Sequence, residues 1–456
     1  MNTDFVVLAA GEGKRMLGAD PKVLLPVAGK PMAQHALDTI SEIKKSRTIL
    51  VLGNQAKEVK KALSTSKSTK FVTQRKQLGT AHAVKMALPK LRPSSVMVVL
   101  YGDVPLVESK SLKKLIKSAE KGSLAILTFI KESPQGYGRI VRGSRNQVQA
   151  IIEEKDATKE QREIKEVNSG ILAIKSSLAK KLLPEIKNKN ASREYYLTDI
   201  VEVAKNSGIK VQPLILDDSD EALGANNPLE LQELERACQR LSAKRLVNSG
   251  VNIADMNRLD IRGPFTASKG SFIDVNNVFE GSVEIGKNTK IGPNCYIRNS
   301  IIGDRVTIQA NTVIEDSIVG DLCKLGPFSR IRGGTELVSQ SELGNLVEAN
   351  RSKIGKSSKA KHLTYLGDSN LGTKVNVGAG TITCNYDGKN KHKTKLDDGA
   401  FIGSNSSLVA PVKVGKEAYT GAGSVITKNV PPGNLAIGRS KQSNICLLYT
   451  SDAADE

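Results

Sequence analysis

At 456 residues the chain is too long for one simple core, and two or three domains are expected. No Trp, few aromatics and 39% hydrophobic residues give the composition of a soluble globular protein. The formal charge of +20 is spread along the chain rather than clustered with aromatics, which argues against nucleic acid and for a basic surface that attracts anionic small substrates.

The first half alternates strand and helix. Phe5-Val6-Val7-Leu8-Ala9-Ala10 reads as a buried strand. It is too short for a secretory core and runs into the turn Gly11-Glu12-Gly13 instead of a cleavage site. Pro31–Lys44 is expected to be a helix, with Met32, Ala36, Leu37, Ile40 and Ile43 on one face. Thr48–Leu52 follows as a strand, Thr80–Leu88 as a helix, and Val96–Tyr101 as a strand ending at Gly102-Asp103. Helix Lys110–Glu120 and strand Leu124–Phe129 continue the alternation. This order implies an α/β domain with a doubly wound, largely parallel sheet, whose ligands bind beyond the carboxyl ends of the strands. The sheet domain is expected to run over 1–226. A charged helix from Pro228 with one narrow apolar stripe (Leu231, Leu234, Cys238, Leu241) then serves as a linker over 227–250.

From Ile285 to Ile426 the period changes to six. Aliphatic-Gly pairs recur at Ile285-Gly286, Ile291-Gly292, Ile302-Gly303, Leu325-Gly326, Leu343-Gly344, Ile354-Gly355, Leu366-Gly367, Ile402-Gly403 and Val414-Gly415. Neither an amphipathic helix nor an ordinary strand has that period. A hexapeptide repeat does, with three steps to each triangular coil of a parallel β-helix and Gly or small polar residues at the strained corners. Cys384–Lys395 interrupts the phase and is expected to form a loop on the binding face. Flat-faced prisms pack around three-fold axes, so a homotrimer is expected. No apolar run reaches membrane-spanning length, and the five scattered cysteines fit reduced thiols in the cytoplasm.

The first dense motif is Leu8-Ala9-Ala10-Gly11-Glu12-Gly13-Lys14-Arg15-Met16, with Lys22 downstream. Glycine lets backbone N–H groups approach phosphate, and Arg15 and Lys22 supply charge for a triphosphate. Gln74, Gln77-Leu78-Gly79-Thr80-Ala81, Tyr101-Gly102-Asp103, Gly136-Tyr137-Gly138-Arg139-Ile140, Glu153, Asn168-Ser169-Gly170, Glu194–Asp199 and Asn226-Asn227 follow. Their content and order resemble the sugar-nucleotide pyrophosphorylases. Joined to hexapeptide repeats, they resemble the bifunctional N-acetylglucosamine-1-phosphate uridylyltransferase / glucosamine-1-phosphate N-acetyltransferase enzymes, over about residues 4 to 440. The resemblance implies a left-handed β-helix acetyltransferase domain over 251–440.

It also implies that Leu8, Ala9, Ala10, Gly11, Lys22, Gln74, Gly79, Thr80, Tyr101, Gly102 and Asp103 bind UTP, while Gly138, Glu153 and Asn168 hold the amino sugar. Asp103 and Asn226 would bind Mg²⁺, which accepts a sparse set of oxygen ligands. Arg15 and Lys22 would neutralise charge as an already anionic sugar phosphate attacks the α-phosphorus, with no general base. Read without the resemblance, Asp103 caps a turn and Asn226 N-caps the linker helix.

In the repeat domain the resemblance makes His362, in Lys361-His362-Leu363-Thr364-Tyr365, the base that deprotonates the sugar amine as it attacks the acetyl-CoA thioester. Arg332, Asn350, Tyr365, Asn376 and Lys391 are the corresponding glucosamine-1-phosphate contacts. Ala379, Asn385, Tyr386, Ser404, Ala422 and Arg439 are those for acetyl-CoA, with Asn385 and Tyr386 lying in the interrupting loop. Two departures stand out. The family has Lys where this chain has Asn350, and the extended alternation would point Arg351 the other way. Residues 441–456 are an atypical tail: Cys446–Glu456 is acidic where the family tail is basic and resembles translated adapter sequence, so it is assigned no function. These departures leave uridylyl transfer alone as the alternative activity.

Overall fold

The computed structural model describes residues 1–11, 16, 20–143 and 146–444, and the chain divides into two compact units, Met1–Cys238 and Gln239–Glu456. Helix Pro228–Asn248 contributes to both. No helix among the described residues is long and apolar enough to cross a membrane.

The first unit is built on a mixed sheet. Its strands are β1 Asn2–Ala9, β2 Ser46–Leu52, β3 Lys70–Thr73, β4 Ser95–Tyr101, β5 Leu124–Ile130, β6 Arg139–Arg142, β7 Val148–Ile152, β8 Glu166–Lys175 and β9 Val211–Ile215. The main path runs β9-β5-β8-β4-β1-β2-β3, and β6 and β7 form a ribbon off β8. β1, β2, β3 and β4 are mutually parallel, whereas β8 is antiparallel to both β4 and β5. The main path is thus largely parallel as expected, with one reversed strand, β8, that the alternation did not reveal.

The continuous apolar run of β1 follows from burial on both faces. Phe5, Val7 and Ala9 join one core while Val6 and Leu8 join the other. At the amino edge the fully buried Asp4 accepts from Arg47, Arg92 and Ser95 at 2.7–3.0 Å, a satisfied ionic cluster far along the strands from the carboxyl edge.

The second unit is a prism of stacked coils. One face is an eleven-stranded parallel sheet, and the other two are threaded by a continuous seventeen-strand path. Register pairs give the pitch: Ile273↔Ile291↔Ile308↔Leu325↔Leu343↔Ala360↔Val377 advances by 17 or 18 residues per coil. The step Val377↔Ile402 is longer because the hairpin after Cys384 is inserted there. Inward residues from all three faces, among them Ile302, Leu325, Ile354, Leu366, Ile402 and Val414, form one apolar core. Coils begin at Asn252, well before the aliphatic-Gly ladder becomes legible.

Gly326 is left-handed at φ 86°, as corner strain predicts, but the other glycines of the aliphatic-Gly pairs have another cause. A Cβ on Gly355 would lie 2.0 Å from the Gly372 carbonyl oxygen, and one on Gly344 would lie 2.1 Å from that of Lys361. These glycines permit close approach between coils. Left-handed positions are held largely by small polar residues such as Asn276, Asn288, Asn294 and Asn311 and by glycines such as Gly270 and Gly334, as expected, but also by Phe328, Leu346 and Leu363 at φ 46–55°.

Two candidate transferase sites

The first site lies at the carboxyl edge of the sheet, where β1, β2 and β4 end. Leu8, Ala10, Gly11, Lys22, Gln74, Gly79, Thr80, Tyr101, Asp103 and Asn226 line one cavity of about 360 Å³. Ala9 turns instead into the core. Gly102 donates its N–H to the Leu8 carbonyl at 2.9 Å, which binds the ends of β1 and β4 together.

At the centre of the site, Lys22 is 8% exposed and ion-pairs with Asp103 while donating to Asn226 Oδ1 at 2.8 Å. Two oxygens from residues far apart in sequence therefore converge on one cationic point. Asn226 does not cap the following helix: Asn227 does, its Oδ1 accepting from the Glu230 N–H at 2.9 Å. Glu230 in turn accepts from the Asn226 N–H at 2.7 Å and from its Nδ2 at 3.1 Å, which directs Oδ1 toward Lys22.

The turn over Gln77–Thr80 is locked to the segment Glu194–Leu197. Tyr195 N–H donates to Leu78 O, Ala81 N–H to Tyr195 O and Leu197 N–H to Thr80 Oγ1, all at 2.8–3.0 Å. Gly79 sits at φ 111°, and a Cβ there would lie 2.5 Å from the Tyr195 carbonyl oxygen, so only glycine serves.

Gly138, Glu153 and Asn168 form a second group beside Tyr101. Asn168 N–H donates to Gly138 O at 2.9 Å, and Thr198 donates to Glu153 Oε1 at 3.0 Å. Burial raises the Glu153 pKa against that hydrogen bond, and burial raises the Tyr101 hydroxyl well above its ordinary range. Tyr101 links the groups, lining both the main cavity and a small side pocket with Asn168, Gly170 and Thr198.

In the prism, register brings several expected residues into columns. Asn345 pairs with His362, and continuing the same rows puts Ala379, Ser404 and Ala422 in successive coils on that corner. Asn405 N–H donates to Ala379 O at 2.7 Å, Gly423 N–H to Ser404 O at 2.8 Å, and Arg439 to Ala422 O at 3.0 Å. With coils spaced ~4.8 Å apart, the column reaches roughly 14 Å from His362 to Ala422. His362 itself is exposed, and Thr364 Oγ1 donates to its carbonyl at 2.7 Å.

A second column carries Arg332, Asn350 and Gly367. Above Gly367 the Tyr365 hydroxyl and Asn385 Nδ2 converge: a Cβ on that glycine would lie 2.6 Å from each. Asp368 accepts from Asn385 Nδ2 at 2.5 Å and from both arms of Arg351 at 2.8 Å. The Arg351 and Asn385 hydrogen bonds, with a smaller contribution from the Lys391 charge, lower its pKa. Asn385 therefore belongs with Tyr365 and Lys391 within one chain, apart from the Ala379–Ala422 column. Tyr386 is exposed in the inserted hairpin, where it bridges Lys391. Asn376 lies on the eleven-stranded face, in register with Lys359.

The sequence matches the MobA-like NTP transferase domain over residues 5–169, the GMPPB C-terminal domain over 261–385 and the hexapeptide repeat of succinyl-transferase over 394–428. The bifunctional protein GlmU of Marinobacter nauticus is 49% identical over 443 residues, covering 96% of this chain and 97% of that protein. GlmU of Idiomarina loihiensis is 49% identical over 445 residues, covering 98% and 97%. GlmU of Cellvibrio japonicus is 46% identical over 442 residues, covering 97% of each. The chain belongs to the GlmU family. It is a bifunctional enzyme, a uridylyltransferase joined to an acetyltransferase, and the match across both halves favours two activities over uridylyl transfer alone.

Asn350, where the resemblance implies Lys, is buried beside Arg351. Arg351 is left-handed at φ 50°, so the extended alternation fails there, and its Nη1 reaches Asn350 Oδ1 at 3.3 Å. Its charge is nevertheless committed to Asp368. Arg15 and the tail residues 445–456 lie outside the described residues. Gln77, Glu194, Thr198 and Glu230 join the first site although they were not singled out as ligands. For Glu230 the signal was available: an acidic residue three places after an Asn cap marks a capping box.

Proposed function

We propose that the chain acetylates glucosamine-1-phosphate from acetyl-CoA and then transfers uridylyl from UTP to the N-acetylated product, releasing pyrophosphate and forming UDP-N-acetylglucosamine. The observation that carries the uridylyl half is the convergence of Lys22, Asp103 and Asn226 at the sheet's carboxyl edge, beside the Gly11 and Gly79 turns. Asp103 and Asn226 offer hard oxygen donors aimed at one point already suited to a cation, so they fit Mg²⁺, whose other positions phosphate and water would supply. When bound, that ion would neutralise charge on the triphosphate. Lys22 holds phosphate oxygens, and the tight backbone at Leu8–Gly11 and Gly79 lies along the nucleotide. A sugar phosphate oxygen attacks the α-phosphorus, the α–β P–O bond breaks, and the electron pair leaves on pyrophosphate. Glu153, Asn168 and Gly138 orient the N-acetyl sugar.

For acetyl transfer, the column Ala379–Ser404–Ala422 beneath Arg439 offers an extended corner along which acetyl-CoA lies, ending at His362. The amine nitrogen attacks the thioester carbonyl, His362 takes a proton, and the C–S bond breaks to release coenzyme A. Arg332, Asn350, Tyr365, Asn376 and Lys391 hold the sugar phosphate. Asn385 and Tyr386 complete the coenzyme site of a neighbouring copy in a homotrimer, a reading supported by Phe328, Leu346 and Leu363, each 54–61% exposed on the corner beside His362. Such an enzyme works in the cytoplasm, where its small-molecule substrates are.

The purified protein should release coenzyme A from acetyl-CoA with glucosamine-1-phosphate, and pyrophosphate from UTP with N-acetylglucosamine-1-phosphate and Mg²⁺. Failure of either reaction with active relatives assayed alongside would remove that half. Sedimentation at micromolar concentration should give a trimer, and a monomer would contradict the assembly.

A further inference from the structure

His82 lines neither reacting group, yet its ring meets a residue that does line the nucleotide cavity. Gln74 is 4% exposed, and its Nε2 donates to the Gly79 carbonyl at 3.2 Å and lies 2.9 Å from His82 Nδ1. A backbone carbonyl can only accept, so Gly79 fixes which end of the Gln74 amide is nitrogen. Nδ1 of His82 must then be the acceptor, and the imidazole is neutral with its proton on Nε2. Both Gln74 amide hydrogens are thereby used inside the protein. Its Oε1 remains as an acceptor for whatever enters the cavity.

From this we infer that His82 is a positioning residue for base selection: it holds Gln74 with an acceptor facing the base, which suits the N3–H of uracil and opposes the N3 lone pair of cytosine. The inference rests on the uridylyl reading of the first cavity. The surroundings favour the required state of the ring. The hollow behind His82 is lined by Lys85, Lys187, Lys189, Asn188 and Tyr195, with no acidic side chain among the described lining residues. Burial, with the Lys85 charge second, lowers the His82 pKa and keeps Nδ1 unprotonated. Were Nδ1 to carry a proton, Gln74 would have to turn its oxygen toward both His82 and Gly79 O, setting two acceptors against each other.

The test is the ratio of kcat/KM for UTP to that for CTP, measured by pyrophosphate release in the full-length protein and three variants. His82→Leu removes the acceptor and should raise KM for UTP with kcat little changed, narrowing the ratio about tenfold. His82→Asn keeps a side-chain acceptor near the Nδ1 position and should restore most of the ratio. Gln74→Ala should narrow the ratio at least as far as His82→Leu. A narrowed ratio in Gln74→Ala with an unchanged ratio in His82→Leu overturns the role of His82 and leaves the nucleotide site standing. An unchanged ratio in Gln74→Ala overturns base reading at this position altogether. Equal losses for UTP and CTP in His82→Leu, without rescue by Asn, would mean a merely structural role and also overturn the inference.

Discussion

Lys22 and Asp103 are 81 residues apart in sequence and meet as an ion pair at the carboxyl edge of the sheet, with the Lys22 ammonium also donating to Asn226 at 2.8 Å. One cation thus organises two oxygens that lie far apart along the first unit, on Asp103 and Asn226. Lys22→Met keeps the length of the side chain and removes its charge. It should lower kcat/KM for uridylyl transfer by about 10²–10³-fold, as for other fixed charges at a transition state, while acetyl transfer is unchanged. Pyrophosphate release and coenzyme A release, assayed on the same preparation, check this.

Asn350 is 8% exposed, and the neighbouring Arg351 spends its guanidinium on Asp368. The resemblance implies a Lys at this position, and Arg351, paired with Asp368, does not supply a free charge in its place. Asn350→Lys should lower KM for glucosamine-1-phosphate several-fold, about 1 kcal/mol for one partly screened charge on a phosphate, with KM for acetyl-CoA unmoved. Steady-state kinetics of the acetyl transfer alone would measure it.

Asp199 gives a pH-dependent stability. Burial, then the charges of Glu202, Glu153 and Asp156, raises its pKa from 3.8 to about 6. The folded carboxyl binds a proton more tightly than the unfolded one, so stability falls as pH rises between those two values. The full shift corresponds to about 3 kcal/mol; half exposure and solvent screening reduce it to about 1 kcal/mol. Asp199→Asn should then raise Tm by about 2–4 °C at pH 7.5, with the gain vanishing toward pH 4. Scanning calorimetry at the two pH values provides the comparison.

Much of this architecture was legible because its signals are periodic or local. The run Phe5–Ala10 showed a strand buried on both faces, and Ile285 to Ile426 showed the prism through its period of six. Register was harder. Coils one residue short of three steps were visible between Ile285 and Ile302, but which coils run to 17 residues and which to 18 depends on corner geometry that no single residue type marks. The antiparallel placement of Glu166–Lys175 is a choice of partners, which propensity does not encode. The same holds within the sites. Lys22, Asp103 and Asn226 were found as motif members, and Glu230 was within reach of a capping-box pattern, whereas His82 acts through another side chain and becomes visible only when hydrogen-bond partners are known.

One chain carries two transferase activities, and on the reading proposed above each has its own site. The most direct measurement assays both reactions in Asp103→Ala and His362→Ala. Asp103→Ala should abolish UTP-dependent pyrophosphate release and keep acetyl transfer near the unmodified rate, while His362→Ala should do the reverse. Loss of both reactions from either substitution in folded protein, or near-normal acetylation by His362→Ala, would contradict that reading.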